Sequence, residues 1–137
     1  MHILKTILVL FMIQGTSLTA QKLSDYTWKN RVLILSENNS DSFHTKTALK
    51  IIEGSAKELN ERAIIIFLFK ENKLYDLDEK EVEFEKSNIL PKYFNGYLLI
   101  GKDGGVKTKH PYPLDLEGIY NLIDGMPMRR AEMKSNN

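Results

Sequence analysis

Short apolar runs alternate with helix-forming stretches along most of this chain. Residues 31–36 (RVLILS) and 63–69 (AIIIFLF) are apolar and rich in β-branched side chains, which is typical of buried strands. Between them, residues 45–61 repeat apolar positions with a helical period, which predicts a helix. The apolar face of that helix would hold Ala48, Leu49, Ile52, Ala56 and Leu59. This order of strand, helix and strand predicts a parallel pair joined by a crossover helix.

A second pair of strands is predicted after residue 95. Residues 96–101 (GYLLIG) form an apolar strand, and residues 106–109 can return beside it. Asp103, Gly104 and Gly105 lie between them and predict a tight turn, because glycine accepts a positive φ. The four residues that follow the turn then complete a β-hairpin.

A closing helix follows the hairpin. Leu116, Ile119, Tyr120 and Ile123 recur with a helical period, and Asp115 can cap the first turn. At the other end, Gly125 is expected in a left-handed C′ position, with Pro127 as a stop.

The middle of the chain is rich in charge and harder to assign. Residues 82–85 (VEFE) alternate between apolar and acidic side chains, so that a short edge strand and a helical turn both remain open. Residues 87–94 predict a short helix with Ser87 as its cap.

This order of elements predicts an α/β fold of the thioredoxin-like type. Its parts are a β-α-β unit, a β-hairpin and a closing helix in a single domain, which we place at residues 21–133. Residues 134–137 would be a polar tail.

The first twenty residues have the pattern of a secretory signal peptide. Residues 1–5 are basic, residues 6–13 (TILVLFMI) are apolar, and residues 14–20 (QGTSLTA) are polar and small. We expect cleavage near Ala20 and a secreted or periplasmic protein, with no membrane span in the mature chain. The alternative for this segment is a buried N-terminal helix.

Charge and cysteine content exclude several functions. Removal of residues 1–20 takes away Lys5 and no acidic residue, so the net charge falls from +1 to zero. A balanced chain lacks the basic stripe that a nucleic-acid-binding protein uses to neutralise phosphates. The sequence has no cysteine, which excludes disulfides, thiol redox catalysis, zinc–thiolate sites and a lipid anchor on cysteine.

The thioredoxin-like position for a catalytic thiol holds no sulfur here. Such a thiol lies between the first core strand and the next helix, where the helix N-terminus lowers its pKa. The corresponding residues 36–45 (SENNSDSFHT) offer hydroxyls, amides and His44. Asn95 and Gly96, not a proline, precede the hairpin, and Pro91 comes too early. A redox role is therefore not expected.

Other catalytic and metal-binding patterns fail on their chemistry. Residues 96–102 match G-x-x-x-x-G-K, but an apolar strand fills the positions that should cradle phosphate. Residues 76–85 are acidic without the spacing of a calcium loop. His44 and His110 lack metal-ligand spacing. We predict no catalytic residue, no metal site and no cofactor.

The stretch DGMPMRRAEM at residues 124–133 allows two interpretations. As a packing device, Met126 and Met128 fill gaps in the core, one arginine pairs with an acid (Asp124 or Asp103), and the other arginine faces water. As a binding patch, the arginines join lysines of the hairpin to hold an anion or a partner. The candidate binding residues are Lys102, Asp103, Lys107, Asp124, Arg129 and Arg130. The packing interpretation is favoured.

Three segments carry a resemblance to a known family. Residues 98–109 (LLIGKDGGVKTK) and 122–133 (LIDGMPMRRAEM) resemble the bacterial family called domain of unknown function 4174, and residues 28–35 (WKNRVLIL) match its first strand. That family is similar to a domain of animal secreted matrix proteins and to thioredoxins and peroxiredoxins. The resemblance extends over about residues 23–133. It implies a thioredoxin-like fold and no particular reaction.

The sequence favours a binding or structural module over an enzyme. Its partner would be an unknown protein or an anionic ligand in the cell envelope. The alternative is an enzyme on the same scaffold that uses a partner's cysteine or the polar groups of residues 36–45. Convergence of His44, Asp41 and an arginine in one cleft would favour that alternative.

Overall fold

The computed structural model describes residues 20–37, 42–84, 90 and 94–136. The predicted signal peptide, apart from Ala20, therefore lies outside the described residues. Among the described residues, no helix combines the length and the apolar composition that a membrane crossing needs.

A mixed sheet forms the centre of the molecule. Its seven strands among the described residues are β1 (Gln21–Lys22), β2 (Arg31–Ser36), β3 (Ile64–Lys70), β4 (Lys73–Tyr75), β5 (Glu81–Glu83), β6 (Gly96–Ile100) and β7 (Val106–Pro111). They lie in the order β1-β5-β4-β3-β2-β6-β7. Strands β2 and β3 are parallel, as the sequence predicts, and β6 runs antiparallel to both β2 and β7.

Four α-helices are described, and a short 3₁₀ helix precedes β2. The α-helices are α1 (Phe43–Glu53), α2 (Ala56–Glu61), α3 (Leu116–Asp124) and α4 (Pro127–Ser135), and the 3₁₀ helix is Leu23–Tyr26. Helix α4 runs past residue 133, the boundary that the sequence suggested for the domain.

Each face of the sheet has its own core. On one face, side chains of β2 and β6 such as Leu33 and Leu99 pack against α1, α2 and α3. On the other face, Ile34 and Leu98 belong to a second cluster, which includes buried Leu90. Since successive side chains of a strand point to opposite faces, the continuous apolar runs of β2 and β6 are explained by burial on both sides.

The predicted helix at residues 45–61 is two helices. Gly54 ends α1, its amide donates to the carbonyls of Lys50 and Ile52, and α2 begins at Ala56. Glycine is a weak helix former, so the chain can bend here at low cost. The bend turns Ala56 into solvent, although the helical period had placed it on the apolar face.

The charge-rich segment contains more strand than the sequence indicated. Strand β5 covers Glu81–Glu83, which confirms the strand alternative for this segment, but β1 pairs with it, so it is not an edge. Strand β4 was missed, because three residues of mixed polarity carry no clear period. Most of the helix predicted at residues 87–94 lies outside the described residues.

The hairpin has the predicted turn. Gly104 has a φ of +83°, and its amide donates to the carbonyl of Gly101. The Asp103 side chain accepts from the amide of Gly105 at 2.9 Å. Strand β7 continues to Pro111, two residues further than expected.

The start of α3 is predicted correctly and its end is not. The Asp115 side chain caps Gly118, as expected. Gly125, however, is right-handed with a φ of −81°, because extended Met126 leads directly into α4. Pro127 is therefore the first residue of a new helix, where its missing amide donor costs nothing. Met128 is 42% exposed, so the expectation that it fills the core was wrong.

Candidate functional site

The first residue of β2 is a buried arginine. Arg31 is 1% exposed, and its guanidinium donates to both carboxylate oxygens of Glu132, at 3.2 and 3.3 Å, and to the carbonyl of Arg62 at 2.8 Å. The Lys102 ammonium lies 2.6 Å from the same carboxylate. Burial alone would raise the pKa of Glu132, but hydrogen bonds from Lys102 and Arg31 hold it below its usual value. Helix α4 is thereby joined to the start of β2.

A second carboxylate at this end of the sheet receives two arginines. Arg62 donates to both oxygens of Asp124, at 3.0 and 2.8 Å, and Arg129 donates to one of them at 3.2 Å. Arg129 also donates to the carbonyl of Glu61 at 2.9 Å, and the residue is 7% exposed. The hydrogen bond from Arg62 is the main reason that the pKa of Asp124 lies below its usual value.

These contacts form one set of ion pairs, which we call the charged network. A contact of 3.6 Å between Arg129 and Glu132 connects its two halves. Its members are Arg31, Arg62, Lys102, Asp124, Arg129 and Glu132. Because they come from five separate parts of the chain, the network fastens α4 and the end of α3 to the sheet.

The six candidate binding residues lie in three different environments. Lys102, Asp124 and Arg129 belong to the charged network. Asp103 and Lys107 form their own pair across the hairpin turn, at 2.9 Å. Arg130 is exposed on α4. The predicted contrast between the two arginines is thus present, with Arg129 paired to Asp124 and Arg130 facing solvent.

The last residue of β2 lies in a different environment. The Ser36 hydroxyl donates to the carbonyl of Phe94 at 2.7 Å, and the Tyr112 hydroxyl donates to the Ser36 carbonyl at 3.0 Å. Tyr112 follows β7 directly, so its hydrogen bond connects the end of the hairpin to the end of β2.

Aromatic and imidazole rings gather around Tyr112. The His44 ring is stacked on Tyr112, with centroids 5.6 Å apart and planes at 7°. The Tyr97 ring packs against the Tyr112 ring, with centroids 6.2 Å apart, and against the His110 ring, with centroids 6.0 Å apart. Phe43 lies against His44 and is 68% exposed. We call these five residues the aromatic cluster.

The protonation state of the Tyr112 phenol limits the chemistry of that side chain. Burial raises the pKa of Tyr112 to about 12, with the Thr45 hydroxyl opposing the shift and Glu37 adding to it. The phenol is therefore a neutral hydrogen-bond donor near neutral pH and not a base. Stacking, hydrogen bonding and imidazole contacts are what the cluster offers.

An open groove of about 560 Å³ adjoins the aromatic cluster. Three of its lining residues, Tyr97, His110 and Tyr112, belong to the cluster. Its other walls come from β7 and from the outer side of α3, including Thr108 and the 40% exposed Leu122. Ligands of open α/β sheets bind beyond the carboxyl ends of the strands. The aromatic cluster lies at that end of β2, and the groove extends from it along β7.

The arginines do not gather at this end. Arg31, Arg62 and Arg129 belong to the charged network, and Arg130 lies on α4. Strand β2 rises about 3.3 Å per residue, so its two ends are roughly 16 Å apart. Asp41, the third group of the proposed cleft, lies outside the described residues. Within the parts of the chain that are described, no three His, Asp or Glu side chains are grouped to hold a metal ion.

Sequence reasoning missed several of these residues. Tyr112 lies between two prolines in the segment HPYP, which resembles an ordinary loop. Arg31 stands at the head of an apolar run, and a charge in that position is a signal for a buried ion pair. The partner of that arginine, Glu132, is 101 residues away and could not be named from local pattern.

Solved structures confirm the fold. A crystal structure of reduced 2-Cys peroxiredoxin from Plasmodium vivax superposes with a TM-score of 0.55 and 14% identity, covering 80% of this chain and 84% of that chain. Thioredoxin peroxidase I of Plasmodium yoelii gives a TM-score of 0.57 at 16% identity, over 80% of this chain and 79% of the other. At these identities the likeness establishes a thioredoxin-like α/β fold alone.

Sequence comparison gives a relative and a family. The zebrafish (Danio rerio) coiled-coil domain-containing protein 80 is 29% identical over 134 residues, which cover 81% of this chain and 15% of that protein. The chain thus corresponds to a small part of that relative. A family model described as Domain of unknown function (DUF4174) matches residues 22–132, including β2, the hairpin and most of α4. The chain therefore belongs to the DUF4174 family.

Proposed function

We propose that this chain is an exported, non-redox binding domain that engages its partner through the aromatic cluster. One observation carries the proposal: in the described part of the segment where a thioredoxin-like enzyme holds its thiol, Phe43 and His44 pack with Tyr112, which lines an open groove. Aromatic side chains supply large contact areas at interfaces, and tyrosine adds a polar handle.

The chemistry of the cluster supports binding over catalysis. No residue of the sequence can form a thiolate, and the phenol of Tyr112 stays protonated near neutral pH. The described arginines lie in or beside the charged network, so none of them is available to stabilise an anion near His44.

An enzyme that uses the groups of residues 36–45 is the alternative. Turnover of a disulfide or peroxide substrate that disappears in a His44→Ala variant would support this alternative. Such a result would contradict the binding proposal.

Export is the second part of the proposal, and the N-terminal pattern supports it. Residues 1–20 have the basic, apolar and small-polar order of a signal peptide. Expression of the full chain in a bacterial host, followed by mass spectrometry of the envelope fraction, should yield a protein that begins near Gln21. Recovery of protein that retains Met1 would contradict export by cleavage.

A binding role for the six residues predicted from sequence remains a second possibility. Arg130 decides it, because this exposed side chain contributes little to folding if the charged network is purely structural. Loss of a specific partner in Arg130→Ala, with unchanged stability, would move the binding site to α4.

Partner capture tests the main proposal. The mature chain, immobilised and exposed to envelope extract from its own cells, should retain a specific protein that is identified by mass spectrometry. Phe43→Ala should reduce that capture at least about tenfold, as for a central interface anchor. Lys57→Ala, which changes an exposed side chain on α2, is the matched control and should capture normally. Equal capture by all variants would refute the aromatic cluster as the binding surface.

A further inference from the structure

Strand β7 is a long exposed edge of the sheet. In the described part of the chain it pairs only with β6, and five of its six residues are exposed. The opposite edge, β1, is only two residues long. A long edge strand presents unpaired amide and carbonyl groups that another extended chain can bind.

Two of the six side chains of β7 are lysines and one is a histidine, and none is acidic. Lys107 and His110 both line the groove on one side of the strand. Lys109 pairs with Leu98 and extends over the Phe94 ring on the other face, at 5.7 Å from its centroid. Cations therefore flank the exposed edge on both faces of the sheet.

These cations oppose pairing with a second copy of the chain. An antiparallel β7–β7 pair centred on Thr108 would set Lys107 against Lys109, and one centred on Lys109 would set that lysine against itself. Like charges directly opposite one another destabilise a strand pair, whereas opposite charges stabilise it. The edge thus disfavours its own copy and complements an acidic strand.

One nearby carboxylate offsets part of the positive charge on the groove side, because Asp103 pairs with Lys107, whereas Lys109 extends over Phe94 on the other face. Asp103 is bound to Lys107 and to the turn amide of Gly105, and Asp115 accepts the amide of Gly118. Both carboxylates lie beyond the ends of β7 in the sequence. The groove next to the strand adds apolar walls from Ile119 and Leu122 that can receive alternate side chains of a bound segment.

We propose that β7 is a docking edge that accepts an extended acidic segment of a partner protein as an additional strand of the sheet. This inference rests on the proposed binding function and names the class of partner. The groove joins β7 to the aromatic cluster through His110, so one partner can contact both surfaces.

A synthetic peptide of alternating valine and glutamate, labelled with fluorescein, is the probe. We expect saturable binding at concentrations below about 1 mM, at least about tenfold tighter than binding of the matching valine–lysine peptide. Hydrogen exchange should show that amides within residues 106–110 become protected when the glutamate peptide is bound. Higher salt should weaken the binding.

Charge reversal of the edge supplies the decisive variants. The double variant Lys107→Glu, Lys109→Glu should lose at least about tenfold in affinity for the glutamate peptide and should prefer the lysine peptide. The variant Lys57→Glu, Lys134→Glu changes the net charge equally at exposed positions on α2 and α4 and should bind like the unmodified chain. Thermal unfolding of both variants checks that they fold.

Three results would overturn the inference: no saturable binding of the glutamate peptide, equal binding of both peptides, or binding without protection in β7. Phe43→Ala separates this test from that of the proposed function, because it should leave peptide binding unchanged. If partner capture depends on Phe43 and the peptide does not bind, only the β7 inference fails. If the peptide binds β7 and capture does not depend on Phe43, only the aromatic cluster fails.

Discussion

The two ends of β2 carry opposite kinds of chemistry. At its start, Arg31 is buried and bonded to Glu132 within the charged network. At its end, Ser36 is joined to Tyr112, and the Phe43 ring of the same cluster is exposed to solvent. The polar groups of the charged end bond within the molecule, whereas the aromatic end leaves the Phe43 ring exposed.

This difference shows that the residues of a conspicuous sequence motif can be occupied by contacts within the molecule. The adjacent arginines at positions 129 and 130 attract attention as an anion site, yet Arg129 bonds to Asp124 and to the Glu61 carbonyl. The less conspicuous segment HPYP supplies Tyr112 and His110 to the aromatic cluster. Burial and partners, which the sequence does not display, decide between these roles.

Removal of Glu132 should have the largest effect on stability. Glu132→Ala leaves the Arg31 guanidinium buried without its carboxylate, and breaking such a pair typically costs about 3–5 kcal/mol of unfolding free energy. Urea denaturation measures the loss. Glu53→Ala on α1 is the exposed control and should change the unfolding free energy by less than about 0.5 kcal/mol. A small effect of Glu132→Ala would mean that the network is not what fastens α4.

The two arginines of α4 should separate clearly. Arg129→Ala removes donors from Asp124 and from the Glu61 carbonyl, which should cost about 1–3 kcal/mol. Arg130→Ala removes an exposed side chain and should cost less than about 0.5 kcal/mol. The same denaturation experiment compares them. Equal losses for the two variants would contradict the assignment of Arg129 to the charged network.

The hairpin turn gives a test that is independent of charge. Gly104→Val forces a β-branched residue to a φ of +83°, which should cost about 1–3 kcal/mol. At Gly105, where φ is not in the left-handed range, valine should cost less, because an added Cβ meets only side-chain atoms, of Asp103 at 3.3 Å and of Lys107 at 3.7 Å, within 4 Å. Melting temperatures of the two variants decide the point. If Gly104→Val is more stable than Gly105→Val, the assignment of the left-handed turn position to Gly104 is contradicted.

Acid should weaken the charged end through Asp124 and Glu132. Their pKa values lie below the ordinary 3.8 and 4.5, so the network contributes fully above those values. As the pH falls below those values, the unfolded chain takes up protons before the folded chain does, and the stabilisation from the network begins to decrease. This stabilisation is lost once the pH has passed through the pKa values of the folded state. Asp124→Asn should therefore flatten the fall in unfolding free energy below about pH 5. An unchanged pH profile would exclude Asp124 as a contributor.

The sequence was sufficient for the elements whose signals are local. Strands β2, β3 and β6 are apolar runs, Gly104 marks the turn, and Asp115 marks the start of α3. It was insufficient where distant contacts decide the structure. Strands β1 and β4 are short and depend on their pairing with other strands. Strand β1 pairs with β5, and β4 pairs with β3 and β5.

The candidate site was less predictable than the fold. His44 could be named because it falls in the segment where thioredoxin-like proteins carry their thiol. Tyr97 and His110 meet only because β6 and β7 pair in a particular register, which the turn sets but single residues do not reveal. The charged network likewise depends on α4 folding back to Arg31, and no local pattern announces that contact.

A crossed measurement on Phe43→Ala and Arg129→Ala tests most directly whether the two ends of β2 have separate roles. The unfolding free energy and the capture of the envelope partner are measured for both variants. Capture by Arg129→Ala is assayed without urea, at a temperature at which the variant remains folded. We predict that Phe43→Ala keeps its stability and loses capture, because Phe43 is 68% exposed, whereas Arg129→Ala, at a buried position, loses stability and keeps capture. Loss of capture in folded Arg129→Ala, with normal capture by Phe43→Ala, would contradict it.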